Sequence, residues 1–421
     1  MRLQTILNKI HPIKGFKYDS ISTETDSSGS ITKIVAHIKP KATAKPRCSS
    51  CGNPSSGYDT NPKPRVFQFI PLFNIPLFFS YFMRRVQCKH CNGVKTEAVP
   101  WATGKQQSCD VFRKFLSSWA RRLSWKETAG CFNVSWNSVR RSVEWIVEYG
   151  RKHRSLEDVE SIGVDEVTYS KGHRYMTLVY QMDNGRKRLL EVVEKRREKS
   201  LEAVFNRWGE QRCAEIKIVC SDMWKPYLNV IARMLPNALN ILDRFHIAKK
   251  LNDAVDEVRK KEAKQLAAEG YEPILKNARY CFLKRLINLT ETQGAKLKEL
   301  LQYNLKSVRA YLLKEAFDGF WEYNSPYWAK WYLEQWCKRT MRSRLDPMKK
   351  VVKMLRKHED LLMNYFVARK KYSSGVVEGL NLKVNLCMRR AYGYKSFELL
   401  EVSLYHQLGE LPEPKFTHEF C

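Results

Sequence analysis

Apolar and polar residues alternate with the two-residue period of β-strands in the middle of the chain, from about residue 155 to residue 255. Three such strands come first, and Asp183-Asn184-Gly185 between the second and the third is a typical hairpin turn. Two further strands then alternate with helical stretches. We predict strands at residues 162–165, 174–182, 187–193, 216–220 and 238–242.

Three antiparallel strands followed by alternating helices and strands are the element order of a ribonuclease-H-like mixed α/β fold, whose first and fourth strands are neighbours. Asp165 ends the first predicted strand and Asp222 follows the fourth. We therefore expect both carboxylates to point into one cleft, where they repel each other unless a divalent cation lies between them. Oxygen ligands favour Mg²⁺ or Mn²⁺, and two such ions can promote phosphodiester chemistry. The alternative for either aspartate alone is a turn or capping role.

The period changes to that of helices between residues 105 and 152. Apolar spacing predicts a helix at residues 111–123, and Ser124 with Glu127 predicts a capping box that opens a short second helix. A third helix is expected to begin at Ser135. This arrangement is typical of a helix-turn-helix DNA reader, although a helical hairpin that serves as a linker has the same pattern. The expected DNA contacts are Trp136, Asn137, Arg140 and Arg141.

Two cysteine pairs in the first 100 residues have the spacing of zinc ligands. Cys48 and Cys51 form one pair, and Cys88 and Cys91 form the other. Two intervening residues allow both thiolates of a pair to bind one tetrahedral ion, so the two pairs predict a closed structural zinc site. With predicted strands at residues 66–70 and 78–86, this describes a zinc ribbon. His90 is an alternative ligand, and free core cysteines are the alternative to a metal site.

The charge of the chain indicates its partner. Lys and Arg number 74 against 44 Asp and Glu, a formal net charge of +30, which favours a polyanion such as DNA over a merely solubilising surface. At 421 residues we expect two to four domains. The most apolar stretch, residues 66–82, is interrupted by prolines, so we expect no membrane span and a reducing compartment.

A third carboxylate stands alone in a basic segment. Glu378 is the only acid between Tyr372 and Phe397, so it is either an ion-pair partner or a metal ligand. Lys383, Arg389 and Arg390, further along the same predicted helix, could follow a phosphate backbone. The stretch between Asp222 and Glu378 is too long for one strand and one helix, and its pattern predicts a helical insertion. We expect most of its late tryptophans to be core residues; these are Trp321, Trp328, Trp331 and Trp336.

From about Cys48 onward the chain resembles bacterial insertion-sequence transposases of the ISL3 family. The resemblance rests on an ordered set of motifs, which is more specific than any one of them. Besides the cysteine pairs and the helix-turn-helix, the motifs are Arg84-Arg85-Val86-Gln87-Cys88, Ile162-Gly163-Val164-Asp165-Glu166, Ser221-Asp222-Met223, Asp243-Arg244-Phe245-His246, Val377-Glu378-Gly379-Leu380-Asn381 and Tyr392-Gly393-Tyr394.

The resemblance implies a DDE triad of Asp165, Asp222 and Glu378 that holds two Mg²⁺ or Mn²⁺ ions, supported by Asp243 and His246. It also implies a cytoplasmic, nucleoid-associated bacterial enzyme that acts as a homodimer on terminal inverted repeats and target double-stranded DNA. Glu166 would point to the opposite face of its strand, away from the metal site.

We therefore expect a multidomain α+β protein. Its predicted parts are N-terminal strands with the zinc ribbon (1–100), the helix-turn-helix (105–152), the first catalytic part (155–255), the helical insertion (256–370) and the last catalytic part (371–421). The expected activity is metal-dependent cleavage of insertion-sequence ends and strand transfer. The alternatives are a nuclease of the same fold and a zinc-dependent DNA-binding regulator derived from a transposase.

Overall fold

A computed structural model of the chain describes residues 2–372 and 375–416. It divides into two compact units. The first unit combines the residues up to Arg154 with those from Cys387 onward, and the second is formed by Ser155–Leu386. No helix in the described ranges is long and apolar enough to span a lipid bilayer.

The first unit begins with one helix and two small sheets. Its N-terminal elements are α1 (Leu3–Ile10), β1 (Phe16–Thr25), β2 (Ile31–Pro40), β3 (Ser56–Thr60), β4 (Arg65–Leu72), β5 (Ile75–Tyr81), β6 (Arg84–Cys88) and β7 (Gly93–Thr96). One sheet has the strand order β1-β2-β5-β4 and the other the order β3-β6-β7. Phe67, Phe79 and Trp101 lie in the core of the first sheet, with the rings of Phe67 and Trp101 5.8 Å apart.

The expectation of one strand at residues 78–86 within the zinc ribbon is wrong. The stretch forms two strands, β5 and β6, which belong to different sheets, and Phe82 between them is exposed. The chain is held at this break by the buried carboxylate of Glu97. It accepts hydrogen bonds from the Tyr81 hydroxyl at 2.7 Å and from Arg84 Nε at 2.9 Å. The β4–β5 hairpin therefore faces the aromatic core rather than the cysteines.

Three helices follow: α2 (Asp110–Ala120), α3 (Trp125–Cys131) and α4 (Trp136–His153). The capping box predicted at Ser124 is confirmed, since Ser124 Oγ accepts from the Glu127 N–H at 3.2 Å and the Ser124 N–H donates to the Glu127 carboxylate at 2.8 Å. Ser135 caps α4 by accepting from the Ser138 N–H at 3.1 Å. Both helices begin at the predicted residues because each has its own side-chain cap.

The second unit is built around a five-stranded sheet. Its first elements are β8 (Ser161–Ser170), β9 (Arg174–Gln181), β10 (Leu189–Glu194), α5 (Glu198–Trp208), α6 (Glu210–Glu215), β11 (Ile218–Ser221), α7 (Lys225–Met234) and β12 (Leu239–Leu242). The strand order is β10-β9-β8-β11-β12. The pairs of β9 with β8 and β10 are antiparallel, whereas β11 runs parallel to β8 and β12. The first and fourth strands of this unit are therefore neighbours.

The first of these strands is longer than predicted, and Asp165 lies inside it rather than at its end. The hairpin of β8 with β9 continues to the pair Ser170 and Arg174, whereas pairing of β8 with β11 stops at Gly163. Asp165 is therefore still located where the parallel part of the sheet ends.

The rest of the second unit is helical, as predicted for the insertion. Its helices are α8 (Arg244–Ala268), α9 (Arg279–Leu283), α10 (Glu291–Leu300), α11 (Lys306–Asp318), α12 (Pro326–Met341), α13 (Asp346–Lys357) and α14 (Glu359–Val367), with short 3₁₀ turns at Leu286–Asn288 and Gly319–Glu322. Helix α11 begins at Lys306, because the Glu262 carboxylate accepts from the N–H groups of Lys306 and Ser307 at 2.6 and 2.7 Å and caps the helix there.

The four tryptophans of the insertion divide into two pairs. Trp321 and Trp336 are buried, as expected of core residues, whereas Trp328 and Trp331 are each about half exposed. The expectation that most of them belong to the core therefore holds for the first pair alone.

The last elements are α15 (Gly375–Arg390) and α16 (Phe397–Leu408). The boundary between the units falls after Leu386 within α15, so the described residues from 387 to 416 group with the first unit and not with the catalytic part to which 371–421 was assigned. One reason is that α16 packs on α4, with Arg151 and Glu401 paired at 2.9 Å. Ser373 and Ser374, which precede α15, lie outside the described residues, as do residues 417–421.

Candidate functional site

Three aspartates follow the register of the parallel strands. Cys220 of β11 pairs with Gly163 of β8, and two residues further along the two strands come Asp222 and Asp165. Ser221 pairs with Leu242 of β12, and Asp243 follows next, its N–H bonded to the Ser221 carbonyl at 2.9 Å. The sheet therefore presents three carboxylates at one edge.

Both carboxylate oxygens of Asp165 accept hydrogen bonds. Oδ1 accepts from the Glu166 N–H at 2.8 Å, and Oδ2 accepts from Asn381 Nδ2 at 2.6 Å. The Asn381 amide oxygen in turn accepts from the Tyr180 hydroxyl at 2.7 Å, so the Asp165 side chain has a fixed direction. Burial raises the pKa of Asp165, opposed by the Glu166 N–H.

The Asp222 carboxylate is buried and is contacted from two directions. Oδ1 accepts from the Trp224 N–H at 3.0 Å, and Oδ2 lies 3.3 Å from Arg196 Nη2. The Arg196 guanidinium in turn lies over the Trp224 ring, 4.4 Å from its centroid. Asp222 is thus held at the strand end by its own turn and by a cation from the loop between β10 and α5.

The expectation that Glu166 points away from the site is wrong. Its Oε1 lies 2.9 Å from the same Arg196 Nη2 that contacts Asp222, and its Oε2 is buried with no hydrogen-bond partner among the described residues. Burial and the nearby Asp222 carboxylate raise the pKa of Glu166 to about 7. Strand alternation does not predict this position, because the pairing of β8 with β11 stops at Gly163 and Asp222, which follows the last residue of β11, is not confined to one face of the sheet.

Asp243 and His246 are in direct contact. Asp243 caps α8, with Oδ1 accepting from the Phe245 N–H at 2.7 Å, and its Oδ2 lies 2.9 Å from His246 Nδ1. This bond to Asp243 raises the pKa of His246, and the charges of Asp165 and Asp222 add to the effect. The pair therefore belongs to the same electrostatic neighbourhood as the two strand-end aspartates.

Glu378 lies in the first turn of α15. Its side chain is exposed; partial desolvation and the Asp243 carboxylate raise its pKa, and His246 lowers it, so its charge also interacts with this group. Helix α15 approaches β8 closely here, since a Cβ on Gly163 would overlap Val377. The acidic residues nevertheless do not converge on one point: within the described residues, the ligand atoms of three or more His, Cys, Asp or Glu lie within 4.8 Å of one another solely at the four cysteines.

A cleft of about 740 Å³ opens in front of Glu166, Asp222 and His246. Its lining also includes the basic residues Lys249, Lys250 and Lys350 and the acidic residues Asp253 and Glu257. The three lysines can attract a polyanionic strand to the carboxylates of Glu166 and Asp222.

The predicted zinc ligands come together in the first unit. Sγ of Cys48 lies 3.9 Å from that of Cys91, and Sγ of Cys51 lies 3.6 Å from that of Cys88. Backbone N–H groups of Cys51 and Ser50 lower the pKa of Cys48, and the Cys91 N–H lowers that of Cys88 to about 6. The four cysteines fit a zinc ion, and His90 is exposed and outside the group.

The predicted DNA contacts of α4 lie on its outer face. Trp136, Asn137 and Arg141 are exposed, and Arg140 pairs with Glu144 at 3.3 Å. Arg141 also lines a groove of about 710 Å³ together with Arg65 and Lys105.

Three further predicted DNA contacts are on α15. Lys383 and Arg389 are exposed. Arg390 donates to the backbone carbonyls of Arg121 and Arg122 at 3.1 and 3.3 Å. Its guanidinium therefore binds the residues that directly follow α2.

Sequence reasoning assigned no role to Arg196 or Asn381. Asn381 carried a usable signal, because it lies three residues after Glu378 and the two share a helix face. Arg196 carried none, since it sits in a basic stretch and contacts Glu166 and Asp222 only in the folded chain.

Comparison with known proteins is consistent with this geometry. A family model described as a transposase, that of the DDE transposases of the ISL3 type, matches residues 162–404. The transposase for insertion sequence element IS1557 of Mycobacterium tuberculosis is 25% identical over 408 residues, covering 91% of this chain and 90% of its own length. The transposase for element IS1001 of Bordetella parapertussis is 26% identical over 366 residues, covering 86% and 88%.

Proposed function

The chain belongs to the ISL3 family of DDE transposases, and on that premise we propose that it cleaves DNA at insertion-sequence ends and transfers the cut strand to target DNA. The observation that carries the proposal is the register of β8, β11 and β12, which sets Asp165, Asp222 and Asp243 at one edge of the sheet. We assign a ribonuclease-H-like fold to the second unit, because its strand order and directions are those expected of that fold.

We propose Asp165, Asp222 and Glu378 as the residues that hold catalytic Mg²⁺ or Mn²⁺. The donors fit such ions in kind, since carboxylate oxygens are the ligands these cations prefer and Glu166 Oε2 is a buried oxygen without a partner among the described residues. Bound there, the cations would supply Lewis-acid activation of the attacking and leaving oxygens of a phosphodiester.

The protein's own groups have separate tasks in this proposal. Asn381 keeps one oxygen of Asp165 in place, and Asp243 holds the His246 ring, whose raised pKa favours the imidazolium that would bind a phosphate oxygen. Lys249, Lys250 and Lys350 on the cleft walls would hold the DNA backbone, because ammonium groups neutralise phosphates without reading sequence.

End recognition is assigned to the first unit. We propose that α4 reads terminal inverted repeats with Trp136, Asn137, Arg140 and Arg141, supported by the exposed outer face of this capped helix. A structural zinc held by Cys48, Cys51, Cys88 and Cys91 would stabilise the β3-β6-β7 sheet beside it. Because two element ends must be paired, we further propose that a homodimer is the active form on DNA.

The test is strand transfer with DNA carrying the cognate ends. We expect joined product with Mg²⁺, none with a chelator, and a loss of about 10³-fold or more in Asp222→Asn, because a ligand to the activating cation is removed. Asp360→Asn, the same change at an exposed site of the second unit, should retain activity. Nicks without joined product would indicate a nuclease, and an unaffected Asp222→Asn variant would indicate a DNA-binding regulator.

A further inference from the structure

One guanidinium nitrogen links two acidic residues from neighbouring strands. Arg196 Nη2 lies 2.9 Å from Glu166 Oε1 and 3.3 Å from Asp222 Oδ2. Glu166 belongs to β8 and Asp222 follows β11, so a single positive charge bridges the two central strands of the sheet at their cleft end. The side chains of both acids are largely buried, with 12% and 8% exposure, and such a pair of carboxylates needs a neutralising cation.

The bridge leaves buried polar atoms unsatisfied. Glu166 Oε2 and Arg196 Nε are both buried without a hydrogen-bond partner among the described residues, whereas both oxygens of the nearby Asp165 carboxylate accept hydrogen bonds. A buried acceptor without a donor is costly. The Arg196 guanidinium therefore holds Glu166 and Asp222 together but leaves Glu166 Oε2 without a hydrogen bond among the described residues.

Arg196 lies in a loop, whereas the two acids lie in or directly after sheet strands. It comes from the loop between β10 and α5, and its guanidinium rests on the Trp224 ring with 29% of the side chain exposed. A side chain from a loop can rotate away without disturbing a sheet strand, unlike the acids that it bridges. The site is therefore able to exchange this positive charge for another.

We propose that Arg196 is a counterion that a divalent cation displaces, and that Glu166 is a fourth carboxylate ligand of the catalytic cation site. This inference rests on the proposed function, since it assumes that Asp222 binds the cation. A divalent ion has twice the charge of the guanidinium, and its attraction to both carboxylates is correspondingly larger at the same distance. It also requires oxygen ligands, and Glu166 Oε2, which the guanidinium leaves without a partner among the described residues, can serve as one of them.

The test is a Mn²⁺ titration of the full-length, zinc-loaded protein without DNA, followed by the electron paramagnetic resonance signal of free Mn²⁺. Arg196→Gln should bind Mn²⁺ at least about tenfold more tightly than the wild type, because the competing charge is gone. Glu166→Gln should bind about tenfold or more weakly, because a ligand is lost. Arg196→Lys, which keeps the charge, and Arg197→Gln, which removes an exposed neighbouring charge, should bind like the wild type.

A second readout separates competition from a general structural effect. Without added Mn²⁺ or Mg²⁺, Arg196→Gln should unfold at a lower temperature than the wild type, because Glu166 and Asp222 are left without their shared cation. Saturating Mn²⁺ should then raise its unfolding temperature by more than it raises that of the wild type.

The outcomes distinguish this inference from the proposed function. Weaker or unchanged Mn²⁺ binding by Arg196→Gln, or unchanged binding by Glu166→Gln, overturns the inference, provided that Asp222→Asn has lost Mn²⁺ binding. If Asp222→Asn and Asp165→Asn both bind Mn²⁺ like the wild type, the cation site of the proposed function itself is refuted, and the inference with it.

Discussion

At the scale of single residues, the site depends on which hydrogen bonds fix each carboxylate. Asp165 is oriented by a chain of two side chains, in which Tyr180 donates to Asn381 and Asn381 donates to Asp165. Partners of this kind align a ligand before any cation binds, and their loss typically reduces metal affinity or activity about 10- to 100-fold. Asn381 is therefore a positioning residue that acts through Asp165.

We predict that Asn381→Ala lowers DNA cleavage and Mn²⁺ affinity together by about 10- to 100-fold, because Asp165 Oδ2 loses its donor. Asn381→Asp, with the same size, should be worse, since it sets a second negative charge against Asp165. Tyr180→Phe, which removes the outer bond of the chain, should have a smaller effect. End-DNA binding, measured by fluorescence anisotropy, should be unchanged in all three, and equal losses in Tyr180→Phe and Asn381→Ala would contradict the assigned role.

At the scale of elements, the close contact of α15 with β8 determines where Glu378 sits. Gly163 lies in β8 two residues before Asp165, and a Cβ there would overlap Val377, the neighbour of Glu378, and would lie 2.8 Å from Met182 Sδ. Val377 is itself buried, so it has little room to move. The glycine is thus required by the approach of a helix rather than by a turn.

We predict that Gly163→Ala destabilises the second unit by about 1–3 kcal/mol, as overpacking does, and reduces cleavage because α15 and Glu378 are pushed from the sheet. The matched control is Gly379→Ala in α15, where the space around the added Cβ is open. It should be neutral or slightly stabilising, by up to about 1 kcal/mol. Thermal unfolding checks both variants, and a Gly163→Ala protein as stable as the wild type would refute the packing argument.

Some of the strands and helices could be predicted from the sequence, and others could not. Hydrophobic period and capping residues were sufficient for the strands of the second unit and for the starts of α3 and α4, because these signals are local. They were insufficient for the full length of β8 and for the separation of β5 from β6. Those features depend on how far β9 pairs with β8 and on the buried Glu97 contacts, and sequence pattern contains neither. The contacts of Arg196 with Glu166 and Asp222 could not be predicted either, because they also depend on the folded chain.

At the scale of the whole molecule, the first unit is assembled from the two distant ends of the chain. Helix α16 contributes the buried residues Leu400, Leu404 and His406, and the Arg121 guanidinium pairs with Glu413 at 2.7 Å. The N-terminal helices are therefore completed by residues synthesised almost 300 positions later. Conditions that loosen α16 should consequently weaken the packing of α2 and α4.

Acid is such a condition because of His406. The ring is buried with both nitrogens unbonded within the described residues, and Arg121, Arg390 and Glu413 are the charged groups around it. Burial, then the charges of Arg121 and Arg390, lower the pKa of His406 to about 3. In the unfolded chain the ordinary value is about 6.5. Between these values the unfolded chain binds a proton that the folded chain does not, so stability is complete above about pH 6.5 and falls as the pH decreases toward 3.

We predict that lowering the pH from 7 to 5 costs the first unit about 2 kcal/mol through this residue, and that His406→Leu removes that loss. Leucine fills a similar volume without a titratable group, so the variant should resist acid better than the wild type. Amide hydrogen exchange in α4 and α16 reports the opening free energy of this unit directly. His153→Leu, at an exposed position on α4, should behave like the wild type. A His406→Leu protein with the wild-type pH dependence would show that acid destabilises this unit through other groups.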